Sequence, residues 1–449
     1  MASKIRRIVA TSIFLVFAAA SGWGQPTGTD RLIQSLQSRV AMFPADYRSS
    51  DQLGWAYIQK GRETGDASYY ELAKQALNKS LEMRGNDLEA ASATTHMAVV
   101  CMVEHRFRDA VTWAESALAL GSGDASPWAI VGDAFADMGE YDKAATAYAK
   151  LHGPADRQDE SPSLFYQRDS RMSYLSFISG DSQGAIQVMQ SAVGAAMALH
   201  MPEENIAWSL FQLGDYFLQS GNLAGAENAY KNALAQYPGY YRALAGLARL
   251  RVAQGRYQEA IQLYQEALAG VPFPEYAAEL GDVYTKVSRP EEAKKQYELV
   301  EFIGYLSAIN KVLYNRELAL FYADHDLKLK EALELARKEL EVRQDIYTWD
   351  VLAWTLYKNG EFKEAAEAMS KALRMGTQSA MLFFHAGMIY EGLGQREKAR
   401  EYLRRALATN PHFHIFYADV ALKMVDGRSS LADRNPREKG QEGKWGRGE

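Results

Sequence analysis

Hydrophobic and small residues repeat at a fixed spacing in the middle of the chain, between residues 208 and 274. Positions 34 residues apart carry the same residue type. The matching pairs are Gly221 and Gly255, Ala226 and Ala260, Tyr230 and Tyr264, Ala233 and Ala267, and Pro238 and Pro272. A period of this length is typical of a stacked array of helical hairpins, and not of a single globular core.

Each special residue in this period has a place in a helical hairpin. A glycine such as Gly221 can adopt the left-handed conformation that ends a first helix. Alanines such as Ala226 allow two helices to approach closely, and a large residue such as Tyr230 fills the space beside them. A proline such as Pro238 ends the second helix, because it lacks a backbone donor. The pattern therefore predicts two helices joined by a tight turn in each period.

The same residues resemble the tetratricopeptide repeat family, whose pattern is W-x2-L-G-x2-Y, then A-x3-F, then P, over about 34 residues. In the first copy the matching residues are Leu213, Gly214, Phe217, Ala226, Tyr230 and Pro238. The resemblance implies an all-α fold, a right-handed superhelix (an α-solenoid) of about ten helix–turn–helix repeats.

Weaker copies of the period extend the predicted array from residue 47 to residue 411. Loop insertions are predicted near residues 62–67, 153–165 and 302–312, and the last of these segments could instead lengthen two helices. At each of them the interval between copies widens or polar residues interrupt the helical pattern. The repeats resume after each insertion, so we interpret residues 47–411 as one array.

The two ends of the array are predicted to be covered by capping helices. Residues 25–46 and 412–424 both have apolar positions at helical spacing. Such caps are expected because a terminal repeat otherwise exposes an apolar face. Residues 425–449 are rich in glycine and charged residues, so we expect a disordered tail.

The first 24 residues have the layout of a secretory signal peptide. Basic residues, including Lys4 and Arg6, precede an apolar run from Ile8 to Ala20. This run is too short to span a bilayer as a helix, which needs roughly 20 residues. Cleavage after Ala20 or after Gly24 fits the small residues there, and we favour Gly24. We therefore expect an exported protein, periplasmic or secreted, with an uncleaved membrane anchor as the alternative.

The net charge argues against one class of partner, and the cysteine content argues against disulfide bonds within the chain. The formal net charge is −6 and the body of the chain has no run of lysine and arginine, so a nucleic acid is not expected as a partner. The single cysteine, Cys101, excludes a disulfide within the chain. It occupies an apolar contact position of a repeat, which predicts a small buried residue.

Neither a catalytic motif nor a ligand motif stands out from the repeat pattern. The chain has no phosphate-binding glycine loop, no G-x-S-x-G elbow and no C-x-x-C pair. His412 and His414 are two residues apart and would point away from each other in a helix. We interpret them as surface or capping residues, and we expect no enzyme activity, no cofactor and no metal.

The resemblance implies that the first helices of the repeats line a concave groove. Carried over position by position, the candidate partner-binding residues are Phe211, Asp215, Arg242, Arg249, Tyr347, Trp354, Tyr357, Met381, Phe384 and Met388. Aromatic residues and methionine are good anchors for a peptide or a helix. Trp354 and Phe384 have a second interpretation, in which they pack between repeats. The lysine and asparagine that clamp a terminal carboxylate in chaperone-binding repeats are replaced by Phe211 and Asp215.

The sequence therefore favours an exported scaffold that binds a protein or peptide partner in the groove, without catalysis. Two alternatives stay open. One is a membrane-tethered assembly factor that keeps its signal segment. The other is a non-catalytic subunit, or a small-ligand binder, of an envelope enzyme.

Overall fold

The computed structural model describes residues 28–84, 87–152, 162–310 and 315–427, and all regular structure in these ranges is helical. The predicted all-α solenoid is therefore confirmed. The predicted signal peptide lies outside the described residues, and so does the predicted tail from residue 428 onward. The chain divides into two compact units, residues 1–85 and 86–449.

The described residues of the first unit form three helices, α1 (Gly28–Met42), α2 (Tyr47–Thr64) and α3 (Ser68–Arg84). Asp46 begins α2, because its side chain accepts a hydrogen bond from the backbone N–H of Ser49. Helices α2 and α3 form the first hairpin. Helix α1 packs on α2, where Gln37 Nε2 donates to the Tyr57 hydroxyl over 2.8 Å. It lies within the segment that was predicted as the N-terminal cap.

The second unit contains a short 3₁₀ helix at Leu88–Ala90 and nineteen α-helices within its described residues. The α-helices are α4 (Ala91–Val103), α5 (Phe107–Ala119), α6 (Pro127–Asp137), α7 (Tyr141–Tyr148), α8 (Pro162–Ile178), α9 (Ser182–Ala198), α10 (Glu203–Gln219), α11 (Leu223–Gln236), α12 (Tyr241–Ala253), α13 (Tyr257–Gly270), α14 (Pro274–Lys286), α15 (Pro290–Asn310), α16 (Asn315–Asp324), α17 (Leu329–Leu340), α18 (Ile346–Lys358), α19 (Phe362–Ala372), α20 (Ala380–Gly392), α21 (Arg396–Thr409) and α22 (Tyr417–Val425). Consecutive helices from α4 to α21 pair as nine hairpins.

Two of the predicted insertions differ from the structure in extent. The loop expected at 153–165 ends earlier, because α8 begins at Pro162, and proline suits the first turn of a helix. The region expected to be interrupted at 302–312 is helical up to residue 310. Helix α15 absorbs the extra residues by growing to 21 residues. The predicted C-terminal cap also differs: α22 begins at Tyr417, and residues 412–416 form no α-helix.

The second unit closes on itself through contacts between distant repeats. Backbone carbonyls at the ends of first helices accept hydrogen bonds from loops that lie between the fifth and the sixth repeat after them. Gln344 N donates to Asp137 O over 3.0 Å, Asn410 Nδ2 donates to Leu218 O over 2.9 Å, and Thr377 Oγ1 donates to Ile178 O. The last carbonyls of a helix have no partner within the helix. These donors therefore satisfy them, and they bring elements about six repeats apart into contact.

Candidate functional site

The first helices of consecutive repeats pack side by side and form one continuous face. Contacts between α10 and α12, between α16 and α18, and between α18 and α20 establish this arrangement. We call the face made by the even-numbered helices α4 to α20 the first-helix surface. All ten candidate partner-binding residues lie on these helices, on α10, α12, α18 and α20.

A glycine, an aspartate and a tyrosine recur together on this surface. Three first helices carry a Gly-Asp pair, and a tyrosine follows 15 residues after the aspartate. The sets are Gly132, Asp133 and Tyr148; Gly214, Asp215 and Tyr230; and Gly281, Asp282 and Tyr297. The tyrosine hydroxyl donates to the aspartate over 2.9, 2.6 and 2.9 Å, respectively. The glycine makes room for the ring. A Cβ at Gly214 would lie 2.5 Å from the Tyr230 ring.

Sequence reasoning placed Asp215 on the groove and missed the tyrosine partners of all three aspartates. The signal was present as the recurrent Gly-Asp pair with tyrosine at a constant spacing of 15 residues.

The three aspartates differ in their second partner. Asp133 receives two hydrogen bonds from the guanidinium of Arg171, over 2.8 and 2.7 Å. Asp282 lies 3.0 Å from His325 Nε2. In the described ranges Asp215 has no such cation, and Tyr230 is its hydrogen-bond donor. Burial raises the pKa of Asp215 to about 6, although nearby Arg249 favours the carboxylate.

Two arginines on α12 have contrasting surroundings. Arg249 forms ion pairs with Glu275 over 2.8 Å and with Glu279 over 2.7 Å. Burial raises the pKa of Glu279 to about 7, against the effect of Arg249. The guanidinium carbon of Arg242 lies 5.2 Å from the centre of the Tyr241 ring and 5.8 Å from that of Phe273. None of the described carboxylates forms an ion pair with Arg242.

Four of the ten candidate residues are buried side chains. Phe211, Trp354, Phe384 and Met388 are 5%, 2%, 1% and 4% exposed. Trp354 stacks on Tyr357 and on His385, and its indole N–H donates to Asp324 over 2.7 Å. The other six, which are Asp215, Arg242, Arg249, Tyr347, Tyr357 and Met381, keep part of their surface exposed. Contact of any of the ten with a partner stays a prediction.

The histidines and the cysteine have defined surroundings. His414 Nδ1 accepts hydrogen bonds from the backbone N–H groups of Phe416 and Tyr417, which makes it a capping residue at the start of α22. His385 Nδ1 lies 2.9 Å from Asp350. Cys101 is buried. No group of three or more His, Cys, Asp or Glu side chains within the described ranges is arranged to hold a metal ion.

Comparison with known proteins agrees with the helical hairpins. Residues 211–275 and 351–414 match the family model of the tetratricopeptide repeat. The chain is a tetratricopeptide repeat protein. Such repeats are typical of scaffolds for protein interactions, and proteins that carry them commonly bind protein partners.

Two curated proteins match shorter parts of this tetratricopeptide repeat chain. The human protein O-mannosyl-transferase TMTC1 is 28% identical over 222 residues, which is 47% of this chain and 24% of that protein. The TPR repeat-containing protein MJ1428 of Methanocaldococcus jannaschii is 28% identical over 116 residues, which is 24% of this chain and 20% of that protein. The chain therefore spans about a quarter or less of these relatives.

A solved tetratricopeptide repeat protein from Parabacteroides merdae is 17% identical to this chain. The alignment covers 58% of this chain and 98% of that structure, with a TM-score of 0.33. Over the described residues, no helix combines the length and the apolar character that crossing a membrane requires.

Proposed function

We propose that this protein is an exported scaffold that binds a protein or peptide partner on the first-helix surface, without catalysis. The observation that supports it most is Arg242. It is a cation on the first-helix surface that has aromatic neighbours and no carboxylate partner among the described residues. Arginine beside aromatic rings is a common anchor of protein interfaces.

The guanidinium of Arg242 is oriented by its neighbours and can bind a carboxylate or backbone carbonyls of a partner. The rings of Tyr241 and Phe273 restrict its guanidinium, so less side-chain freedom is lost on binding. Five N–H donors in a fixed plane favour a bidentate acceptor. We therefore propose that a partner places an acidic side chain or a chain terminus at Arg242.

Asp215 provides a second group of opposite charge on the neighbouring helix α10. Its carboxyl accepts from Tyr230 and has remaining capacity for a donor of the partner. Arg242 is one of the cations that favour its charged form. A peptide that crosses α10 and α12 would thus meet an acceptor on one helix and a donor on the next.

The absence of catalysis is part of the proposal. The imidazole–carboxylate pairs that resemble catalytic dyads are enclosed: His325 and His385 are 8% and 1% exposed, and each is in contact with aromatic rings. The activity in the name of the human relative is not carried over, because the match covers 24% of that protein.

Export is proposed from the pattern of residues 1–24. Mass spectrometry of the protein from its native cell tests this step. A mature chain that begins at Ser21 or Gln25 supports export. A chain that keeps residues 1–24 and sediments with membranes would favour the tethered assembly factor instead.

A charge reversal on the first-helix surface tests partner binding. Full-length protein carrying Arg242→Glu should capture its partner from envelope extract at least tenfold less efficiently than the wild type. Arg404→Glu, on the exposed face of α21, is the matched control and should capture normally. Equal capture by both variants and the wild type would contradict the proposal. A metal or cofactor that copurifies in stoichiometric amount would favour the small-ligand alternative.

A further inference from the structure

We propose that Asp282 and His325 form a proton-dependent clamp between α14 and α16, the first helices of two consecutive repeats. The clamp is closed while the pair holds one proton more than a neutral imidazole and a carboxylate hold together. It loosens when that proton leaves. The inference concerns how the array responds to pH, and it stands independently of the proposed partner binding.

The hydrogen-bond geometry of His325 requires the extra proton. Nδ1 lies 2.7 Å from the backbone carbonyl of Phe321, and Nε2 lies 3.0 Å from Asp282 Oδ1. A carbonyl oxygen has no proton to donate, so Nδ1 must carry one. A neutral imidazole would then present only a lone pair at Nε2, facing the carboxylate oxygen. The contact with Asp282 therefore needs a second proton.

The second proton belongs on the imidazole. Asp282 Oδ1 also accepts a hydrogen bond from the Tyr297 hydroxyl over 2.9 Å, and such a bond favours the ionised carboxylate. The side chains of His325 and Asp282 are only 3% and 11% exposed. Loss of the proton thus removes the donor between two buried polar atoms, which destabilises the contact between the two helices.

The other titratable groups around the imidazole do not supply a positive charge. Tyr297, on α15, is a hydroxyl donor to Asp282. His414, in the loop before α22, lies close enough to interact with His325, and burial lowers the pKa of His414, which keeps it neutral. Asp324, the residue before His325, accepts hydrogen bonds from α18 and α22. The positive charge opposite Asp282 therefore depends on the proton of His325.

Another junction of the array has a permanent cation in the equivalent contact. Asp133 is the counterpart of Asp282 in the recurrent Gly-Asp-Tyr set, and it receives two hydrogen bonds from Arg171 on the next first helix, α8. Arginine keeps its charge at every physiological pH. Histidine titrates near neutral pH, so the contact between Asp282 and His325 responds to pH where the contact of Asp133 does not.

A second histidine–aspartate pair lacks the extra proton. His385 Nδ1 lies 2.9 Å from Asp350 Oδ1, and His385 Nε2 has no hydrogen-bond partner within the described residues. One proton on Nδ1 satisfies this contact, and a neutral imidazole carries it. The pair of Asp350 and His385 is therefore the natural control for the clamp.

The clamp should loosen α16 as the pH rises. A free imidazole releases its second proton near pH 6.5, and the clamp closes only with that proton bound. The stability that the clamp contributes is therefore present at acidic pH and is lost toward alkaline pH. In full-length protein, we expect hydrogen-exchange protection of residues 319–325, corrected for the intrinsic exchange rate, to fall at least about threefold from pH 6.0 to pH 8.5.

Asp282→Asn tests the role of the proton. The new side-chain amide can donate to the Nε2 lone pair of a neutral ring, so the contact persists and its pH dependence should disappear. Asp350→Asn, the same change in the other pair, is the matched control and should keep the loss seen in the wild type. Burial raises the pKa of Glu279 on α14 to about 7, so the variants are compared on α16, away from that group.

Imidazole NMR of the wild type keeps the test decisive if Asp282→Asn loses helix by circular dichroism. Full-length protein labelled with ¹⁵N-histidine should contain one ring with both nitrogens protonated at pH 7.0. The signal that is missing from His325→Gln identifies it. The ring of His385 should carry a single proton under the same conditions.

Three results would overturn the inference. The first is protection of residues 319–325 that stays constant from pH 6.0 to pH 8.5 in the wild type. The second is the same pH dependence in Asp282→Asn as in the wild type. The third is a His325 ring with one protonated nitrogen at pH 7.0, because the contact would then form without the extra proton.

Discussion

The most informative side chains of this protein are the tyrosines that insert between glycines. The Tyr230 ring lies between Gly214 and Gly246, from the first helices of two consecutive repeats, and a Cβ at either position would lie 2.5 Å from the ring. The same ring donates to Asp215. One tyrosine therefore fixes the spacing of two repeats and orients a carboxylate on the first-helix surface.

We expect Gly214→Ala to lower the free energy of unfolding by roughly 1 to 3 kcal/mol, because the methyl group overpacks the Tyr230 ring. The control is Gly194→Ala in α9, where a Cβ would have no neighbour within 4 Å. That change should gain up to about 1 kcal/mol, since alanine favours helix. Urea denaturation measures both. A neutral Gly214→Ala would contradict the packing argument.

Asp215 should make stability depend on pH. Its folded-state pKa of about 6 lies above the ordinary value of 3.8, so the folded state binds more protons between these limits. The stability that Asp215 contributes is therefore present at low pH and is lost as the pH rises through about 6. Asp215→Asn should become more stable relative to the wild type by about 1 to 2 kcal/mol between pH 4 and pH 7. A difference that stays constant with pH would contradict this assignment.

The sequence predicted which residues stack helices, and it predicted less well which ones face a partner. Gly214 and Tyr230 recur with the period, so their packing role was visible. Trp354 and Phe384 occupy positions that line a groove in the family pattern. Their burial depends in part on contacts with Tyr417, which lies beyond the last complete hairpin.

At the scale of the elements, the turn after each first helix requires one residue with a positive φ angle, which reverses the chain direction between the two helices of the hairpin. Gly221 and Gly255 adopt positive φ angles of 76° and 72° there. His105, Ser288 and Asp326 take the same place in other repeats, with φ of 56°, 58° and 53°. This conformation is sterically unfavourable for a residue with a Cβ. The period predicted these turns even where the glycine is missing, because the surrounding apolar positions keep their spacing.

Reciprocal substitutions test the cost of the turn. Ser288→Gly should raise the free energy of unfolding by roughly 0.5 to 1 kcal/mol, and Gly255→Ser should lower it by a similar amount. A Cβ at Gly255 would meet no atom within 4 Å, so the backbone conformation alone is tested. Thermal unfolding of the two variants measures the difference. Equal signs for the two changes would contradict the account.

At the scale of the second unit, contacts between repeats that are distant in sequence close the superhelical turn. His105 and Arg343 meet although they are 238 residues apart, in the first and the seventh hairpin of this unit. Burial raises the pKa of Asp137 to about 6, although Arg343 lies 3.2 Å from its carboxylate. The sequence could not predict these contacts, because they join turns and loops, where the repeat pattern is least regular.

Removing one acceptor should loosen this closure. The backbone N–H of Ile346, a fully buried residue, donates to the Tyr141 hydroxyl over 2.9 Å. Tyr141→Phe leaves this donor without its partner and should cost roughly 1 to 3 kcal/mol. Tyr257→Phe is the control, because the hydroxyl of Tyr257 makes no hydrogen bond within the described residues. Hydrogen exchange should accelerate at residues 344–348 in the first variant. Unchanged exchange there would argue against the closure.

The central claim is that the first-helix surface binds a protein partner, and site-specific photocrosslinking tests it most directly. A photoreactive amino acid replaces Arg242 on α12 or Arg404 on the exposed face of α21, and cells that make the full-length protein are irradiated. The account predicts a discrete crosslinked protein from position 242 and none from position 404. Crosslinks of equal yield from both positions, or from position 404 alone, would contradict it.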